Sequence, residues 1–395
     1  MKTIGIICEC NPFHGGHQYL MEQARASGAD AIVSVMSGNF VQRGEAAILS
    51  THARAEILIR CGADAVVELP YPYAAASAEF FGRAGVEILS RLGVDEVWFG
   101  SETGDISALS RLAEVADSSA FQEAYAKASE GGTASAYFDL LAQISCKEDV
   151  ACAPNDILAI SYLRAIRATK SNIRPVTVKR LGSGYAESSL RDGQFPSATA
   201  LRRAWREEGI DAITPHLPIS CAEIAVREQA ANRAPTTLQN AERLVLGMLA
   251  LTPQSELECY AGLGGGLAGR LRNSAIKATT IDEFYKLCAT KKYPDARIRR
   301  GVLSALLRTK EEDLRAPVAY VRLLAANENG RAFLASARKR SDLAVVTRQT
   351  DLPKTREAKR QFELESASAA LYSKCLPRAS RADEQLRQSP VILKK

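Results

Sequence analysis

The chain has 395 residues, of which 46% are apolar and 24% charged, with a formal net charge of +6. That balance is ordinary for a globular protein, and no apolar run approaches the ~20 residues that a bilayer-spanning helix requires, so a membrane protein is excluded from the expectations. The length exceeds one typical core and predicts two domains.

The first element is an apolar run, Thr3 to Cys8, which reads as a strand and not as a basic segment with an apolar h-region; no signal peptide is expected. The nine cysteines include Cys8-x-Cys10 but no C-x-x-C pairing, and the odd count without metal spacing predicts reduced thiols in a cytoplasmic protein. Directly after the strand comes Asn11-Pro12-Phe13-His14-Gly15-Gly16-His17, and then an amphipathic stretch from Tyr19 to Ala26. A strand, a glycine-rich turn and a helix N-terminus make a phosphate cradle, because uncapped N–H groups and the positive end of the helix dipole converge there. His14 and His17 lie three apart and share a face on a first helical turn. Two imidazoles at such a place can donate to the charge that develops when an α-phosphorus is attacked and pyrophosphate leaves. Gly15 and Gly16 lack the Cβ atoms that would hold phosphate oxygens away. The cluster reads as a nucleotidyl-transfer site; the competing reading, ordinary turn chemistry, is outweighed by its place at the first strand-to-helix turn.

Further along, Ala31 to Met36, Ala65 to Leu69, Glu96 to Phe99 and Val176 to Lys179 read as buried strands separated by helical patterns. Repeated β-loop-α units predict a doubly wound parallel sheet of Rossmann-like nucleotidyltransferase type, with ligands at the carboxyl ends of the strands. The informative loops fall at those ends: Ser37 to Gly44, Pro70 to Tyr73, and Gly100-Ser101-Glu102. Arg43 and Arg54 either neutralise phosphate or pair with surface carboxylates. Asn155 can cap a helix from Ile157 to Ala168. Pro196-Ser197-Ala198-Thr199-Ala200-Leu201-Arg202 is a small-hydroxyl loop opening a helix, suited to close over β- and γ-phosphates through Ser197 and Thr199.

Near residue 210 the character changes, and a mainly α-helical second domain, 211–395, is expected after a catalytic domain, 1–210. Helical patterns cover Ala222 to Ala231, Leu238 to Ala250, Ile281 to Thr290, Arg297 to Arg308, Pro317 to Ala325 and Gly330 to Lys339; Ala261 to Gly269 reads as a glycine-dense connection, Leu343 to Val346 as a short strand, and Arg378 to Lys395 as a frayed polar tail. Residues 1–210 hold 20 Lys/Arg against 25 Asp/Glu and the rest 31 against 20, so the halves carry −5 and +11. A basic half joined to an acidic catalytic half points to a polyanionic partner, the alternative being a uniformly solvated helical surface.

Taken together, Cys10 to His17, Val35 to Glu45, Glu68 to Tyr71, Phe99 to Glu102, Pro154 to Leu158, Ser183-Gly184-Tyr185, Thr290 to Tyr293 with Arg297-Ile298, and Asn327 to Gly330 make the chain resemble the bacterial tRNA(Met) cytidine acetate ligases, members of the H-x-G-H nucleotidyltransferase superfamily. The resemblance implies that acetate and ATP form acetyl-adenylate, whose acetyl group passes to N4 of the wobble cytidine of elongator tRNA(Met). It carries ATP contacts over to Ile7, Cys8, Glu9, Cys10, Asn11, Pro12, Phe13, His14, Gly15, Gly16, His17, Gln18, Tyr19 and Leu20, and to Gly100, Asn155 and Arg180. Within this reading Arg180 joins the Ser197/Thr199 loop in holding the β,γ-phosphates, and Mg²⁺ is expected as their counter-ion, although no carboxylate cluster announces a protein cage. Lys291, Lys292, Arg297, Arg299 and Arg300 either contact tRNA phosphates or form a solvated helix face. Two other readings stand beside it. A small-molecule adenylyltransferase would not need the basic extension, and a non-enzymatic RNA-binding protein with a relic nucleotide site would not need the histidine pair.

Overall fold

The protein is described here from a computed structural model, which covers residues 1–128, 153–180, 195–290 and 292–394. Strands form where buried β-rich runs fall between helices: β1 (Thr3–Cys8), β2 (Ala31–Ser37), a small hairpin of β3 (Phe40–Val41) and β4 (Glu45–Ala46), β5 (Ala65–Leu69), β6 (Glu96–Ser101) and β7 (Arg174–Lys179). The five long strands are adjacent in the order β5-β2-β1-β6-β7 and all parallel. Alternation along each strand sends side chains to two cores. Ile7, Val33, Val35 and Val67 face one core, covered by α3 (Ala78–Leu92) and the helices Ile106–Asp117 and Pro154–Ala168. Ile4, Ile6, Ile32 and Met36 face the other, covered by α1 (Gly15–Ala26), α2 (Thr51–Arg60) and the helices Ala198–Glu207 and Ile219–Ala230.

The parallel reading holds for those five strands, but the sheet is mixed. The stretch Pro317 to Ala325, expected as a helix, instead contains β8 (Tyr320–Ala326), which pairs antiparallel with β5. Its neighbours are β9 (Ala344–Val346) and β10 (Val391–Ile392), both parallel to β8. β10 lies in the tail that the sequence leaves frayed, so that expectation is corrected too. The physical reason is of one kind: β5 offers an unpaired edge that β8 takes up, and β8 in turn offers an edge that β10 takes up, since backbone groups on a sheet edge are satisfied by another strand.

The second apolar cluster also runs across residue 210, taking in Leu201, Trp205, Ile213, Cys221 and Ile224 on one side of the sheet together with Leu324 and Ala325. A third cluster lies within the helical region, from Leu238 to Leu307 and from Leu364 to Leu376. It incorporates Phe40, Ala46, Tyr71 and Ala75, residues of the loops at the carboxyl ends of β2 and β5. The helical region is thus seated where an α/β sheet binds its ligands. Ala261 to Gly269 leads directly into a helix, Leu267–Lys277, whose N-cap is Gly266 at φ +88°.

Candidate active site

The turn after β1 is built on backbone geometry that few residues accept. Cys10 sits at φ +50°, in the left-handed region, and swings the chain out of the sheet. His14 is then the N-cap of α1: the Gly16 N–H donates to His14 Nδ1 at 3.0 Å, and the His14 N–H donates to His17 Nδ1 at 3.3 Å. Two helix-end donors are satisfied reciprocally, in the manner of a capping box written with imidazoles. The chemical result follows from donor counting. Each Nδ1 is an acceptor, so the proton of each neutral ring sits on Nε2. Burial pushes His14 well below the ordinary histidine range, with His17, Arg180 and Arg202 adding to the effect. Burial and Arg180 bring His17 down to about 3. Both rings are therefore neutral N–H donors, their centroids 4.0 Å apart, at the positive end of α1.

The glycines have local reasons. A Cβ on Gly15 would run into the Phe195 ring, and one on Gly16 would come within 2.9 Å of the His14 ring. The rest of the segment divides by side chain. Ile7 belongs to one core and Cys8, Cys10 and Phe13 to the other, Pro12 is buried, and Leu20 packs beneath α1, so these residues can meet a nucleotide only through backbone. Gln18 donates to Glu22 at 2.9 Å on the outer side of α1, where Tyr19 is half-buried. Asn11 accepts from the Ile48 N–H at 2.8 Å, while its Nδ2 is buried without a hydrogen-bond partner among the described residues.

Two further groups converge on the turn. On the β6–β7 side, the helix Pro154–Ala168 begins earlier than expected, with Ala153 as N-cap, so Asn155 is not its cap. Instead Asn155 Nδ2 donates to Glu102 Oε1 at 2.5 Å, and Arg180 Nε stands 3.8 Å from the same oxygen, with its side chain over Gly100. Gly100, Asn155 and Arg180 are brought together through a carboxylate, Glu102, whose part the sequence reading missed. On the other side, Ser197 caps the helix Ala198–Glu207 by accepting from the Ala200 N–H at 3.1 Å. Thr199 Oγ1 accepts from Arg43 Nη1 at 3.1 Å and from Arg202 Nη2 at 3.5 Å. Arg202 is buried, donates to the Asn11 carbonyl at 2.7 Å and pairs with Glu45 at 3.5 Å. Position 202 closes the first turn of the hydroxyl loop, which was the available signal for it; Glu45 gave none.

Arg54 does not reach a phosphate or a surface carboxylate. It is wholly buried and donates to the carbonyls of Leu49, Glu9, Ser37 and Gly38, tying together the carboxyl ends of β1 and β2. Of the five basic residues in the helical half, Lys291 lies outside the described residues. Lys292 is exposed and donates to the Gly265 carbonyl at 3.1 Å, and Arg297 lies over the Tyr293 ring at 5.3 Å. Arg299 and Arg300 instead face the β3–β4 hairpin. Arg299 pairs with Glu45 at 3.5 Å and covers the Tyr285 ring at 4.4 Å, while Arg300 donates to the Gln42 carbonyl at 3.3 Å and is pushed down to about 10 by burial. Ser183-Gly184-Tyr185 falls outside the described residues.

With this geometry in place, similarity to known proteins can be set beside it. The HIGH Nucleotidyl Transferase family matches residues 1–388. The tRNA(Met) cytidine acetate ligase of Acetivibrio thermocellus is 31% identical with 100% of both chains covered, and that of Syntrophotalea carbinolica 36% identical over 88% of this chain and 85% of its own. The chain belongs to the tRNA(Met) cytidine acetate ligase family. The crystal structure of Thermotoga maritima TmcAL without ligand is similar over 100% of both chains, at a TM-score of 0.92 and 30% identity. The form of that protein bound with alpha-thio ATP gives a TM-score of 0.90 at 29% identity. The mixed sheet, including the β8 edge, is thus set in a fold shared with a nucleotide-binding relative.

Proposed function

We propose that the protein is an ATP-dependent acetate ligase that makes acetyl-adenylate and passes the acetyl group to N4 of the wobble cytidine of elongator tRNA(Met). The observation that carries the reading is the paired neutral histidines, each presenting Nε2–H at the head of α1. Acetate oxygen attacks the α-phosphorus, and the bond to pyrophosphate breaks. Charge grows on the α-phosphoryl oxygens in that step, where His14, His17 and the first N–H groups of α1 can receive it. Arg180 and the Ser197/Thr199 loop hold the leaving pyrophosphate, and Arg202 fixes that loop against Asn11. Gly100 and Asn155 support the nucleoside end. Among the described residues no group of three or more His, Cys, Asp or Glu could hold a metal ion. Mg²⁺ in this reading arrives with the ATP phosphates as their counter-ion.

Residues 1–210 carry the adenylation chemistry, completed along the β5 edge by β8 and β10. Residues 211–395, net +11, carry the RNA through Lys291, Lys292 and Arg297, with Arg299 and Arg300 at the junction with the hairpin. The relatives named above favour this reading over a small-molecule adenylyltransferase or a relic site. No helix among the described residues is long and apolar enough to cross a membrane, in keeping with a cytoplasmic enzyme acting on tRNA. Incubation with ATP, acetate and bulk tRNA, followed by mass spectrometry of the nucleosides, should yield N4-acetylcytidine. Its absence while ATP is consumed would overturn the assignment of the acceptor.

A further inference from the structure

Glu9 is the one acidic residue in the segment from β1 to the histidine turn; the family resemblance counts it among the ATP contacts, which its backbone can supply while its carboxylate cannot favour a triphosphate. A carboxylate is repelled by a triphosphate, so its presence at the carboxyl end of β1 calls for a different counterpart. Its position is fixed from two sides. Glu9 Oε1 accepts the Gln42 N–H at 2.8 Å, and its own carbonyl accepts from Arg54 Nη1 at 2.7 Å. Oε2 takes part in no hydrogen bond among the described residues. The side chain therefore faces the β3–β4 hairpin, on the β2 side of β1. Gly100, Asn155 and Arg180 stand on the opposite side, at the ends of β6 and β7. Arg202 ties the histidine turn to the hairpin: it donates to the Asn11 carbonyl of the turn at 2.7 Å and pairs with Glu45 of the hairpin at 3.5 Å.

We propose that Glu9 accepts the proton that the exocyclic amine of the acceptor nucleotide gives up when it attacks the acyl-adenylate. This rests on the ligase reading above and assigns the chemistry of its second half. The amine lone pair adds to the acyl carbon and a C–N bond forms. The C–O bond to the phosphate breaks, and AMP leaves with that electron pair. The N4 proton passes to Glu9 Oε2 and then to water. An amine conjugated to a pyrimidine ring is very weakly basic, so it must lose its proton as the C–N bond forms, and a positioned base is the economical way. Burial raises the Glu9 carboxyl above the usual carboxylate value, against the lowering by the Gln42 N–H, Arg202 and Arg43 and with a small push from Glu45; a stronger base results.

The test separates the two half-reactions. Acetate-dependent ATP–pyrophosphate exchange reads the first, and single-turnover transfer from enzyme-held acetyl-AMP to tRNA(Met) reads the second. In Glu9→Gln an amide oxygen still receives the Gln42 N–H, so the hairpin stays in place. Exchange reports whatever Glu9 contributes to holding ATP, and transfer should fall further than exchange by on the order of 10²–10⁴-fold, the usual worth of a general base. Glu9→Ala should show the same split. Transfer by Glu9→Gln within threefold of wild type would reduce Glu9 to a support for the hairpin and overturn the proposal, as would an equal fall in exchange and transfer. A wild-type enzyme without acetate-dependent exchange would overturn the ligase reading first, and this proposal with it.

Discussion

At the scale of single residues, the site rests on which nitrogen of each imidazole holds the proton. His14→Ala or His17→Ala removes a donor aimed at developing charge, and each should lower acetate-dependent ATP–pyrophosphate exchange by on the order of 10²–10³-fold in a folded protein. Near-normal exchange in the double variant would remove the pair from the chemistry. The low position of His17, about 3, also fixes a pH behaviour. Exchange should show no histidine inflection between about pH 5 and 8, because neither ring changes charge there. The unfolded chain protonates this histidine near pH 6.5, whereas the folded chain does so only near 3. In that interval the unfolded state binds more protons, so the contribution to stability is full above about 6.5 and declines as the pH falls toward 3. Thermal unfolding followed from pH 7 to 4 should therefore decline less steeply in His17→Gln than in wild type.

Among the elements, the small hairpin between β2 and α2 is where the two halves meet, and one glycine governs the fit. Gly44 has φ +77°, and a Cβ there would stand 2.5 Å from the Arg300 backbone nitrogen. Gly28 has φ +91° with nothing within 4 Å. Gly28→Ala should thus show only the backbone penalty of about 1 kcal/mol, and Gly44→Ala roughly 1–3 kcal/mol more, measured by urea unfolding. Equal costs would mean that the helix Asp295–Leu306 yields freely. Much of this level was legible in the sequence. The strand-turn-helix around His14, the strands after Ala31 and Ala65, and the hydroxyl loop at Ser197 follow from local pattern. Tyr320 to Ala326 did not, because a run of Tyr-Val-Arg-Leu-Leu-Ala-Ala suits either period and its leucines and alanines favour helix; an unpaired edge more than 250 residues earlier decides it. Glu45 and Glu102 lie in segments singled out in the sequence, but their pairing roles did not show there: an isolated carboxylate has no periodic signal, and its partners lie far along the chain. Asn155 is expected as an ATP contact from the resemblance alone; local pattern offers it only as a helix cap.

For the whole molecule, the charge division between the halves makes a measurable claim. Replacing Lys291, Lys292 and Arg297 together by Ala should weaken tRNA binding and lower the slope of log K against log salt by about 2 to 3, since each phosphate contact releases close to one counterion. Pyrophosphate exchange should change far less. An unchanged affinity and slope would leave this face merely solvated and place the tRNA elsewhere. Arg299 and Arg300 are left out of that variant because their ties to Glu45 and Gln42 hold the halves together. The sheet itself has a consequence for how the protein is made. A ribosome delivers β1, β2 and β5 long before Tyr320 to Ala326 emerges, and β10 follows only at Val391–Ile392. Throughout that interval the nascent chain presents a bare strand edge, the kind of surface on which chains stick to one another. Synthesis rate and chaperone occupancy therefore bear on the yield of this enzyme more than on that of a Rossmann-type domain whose sheet closes within its own first half.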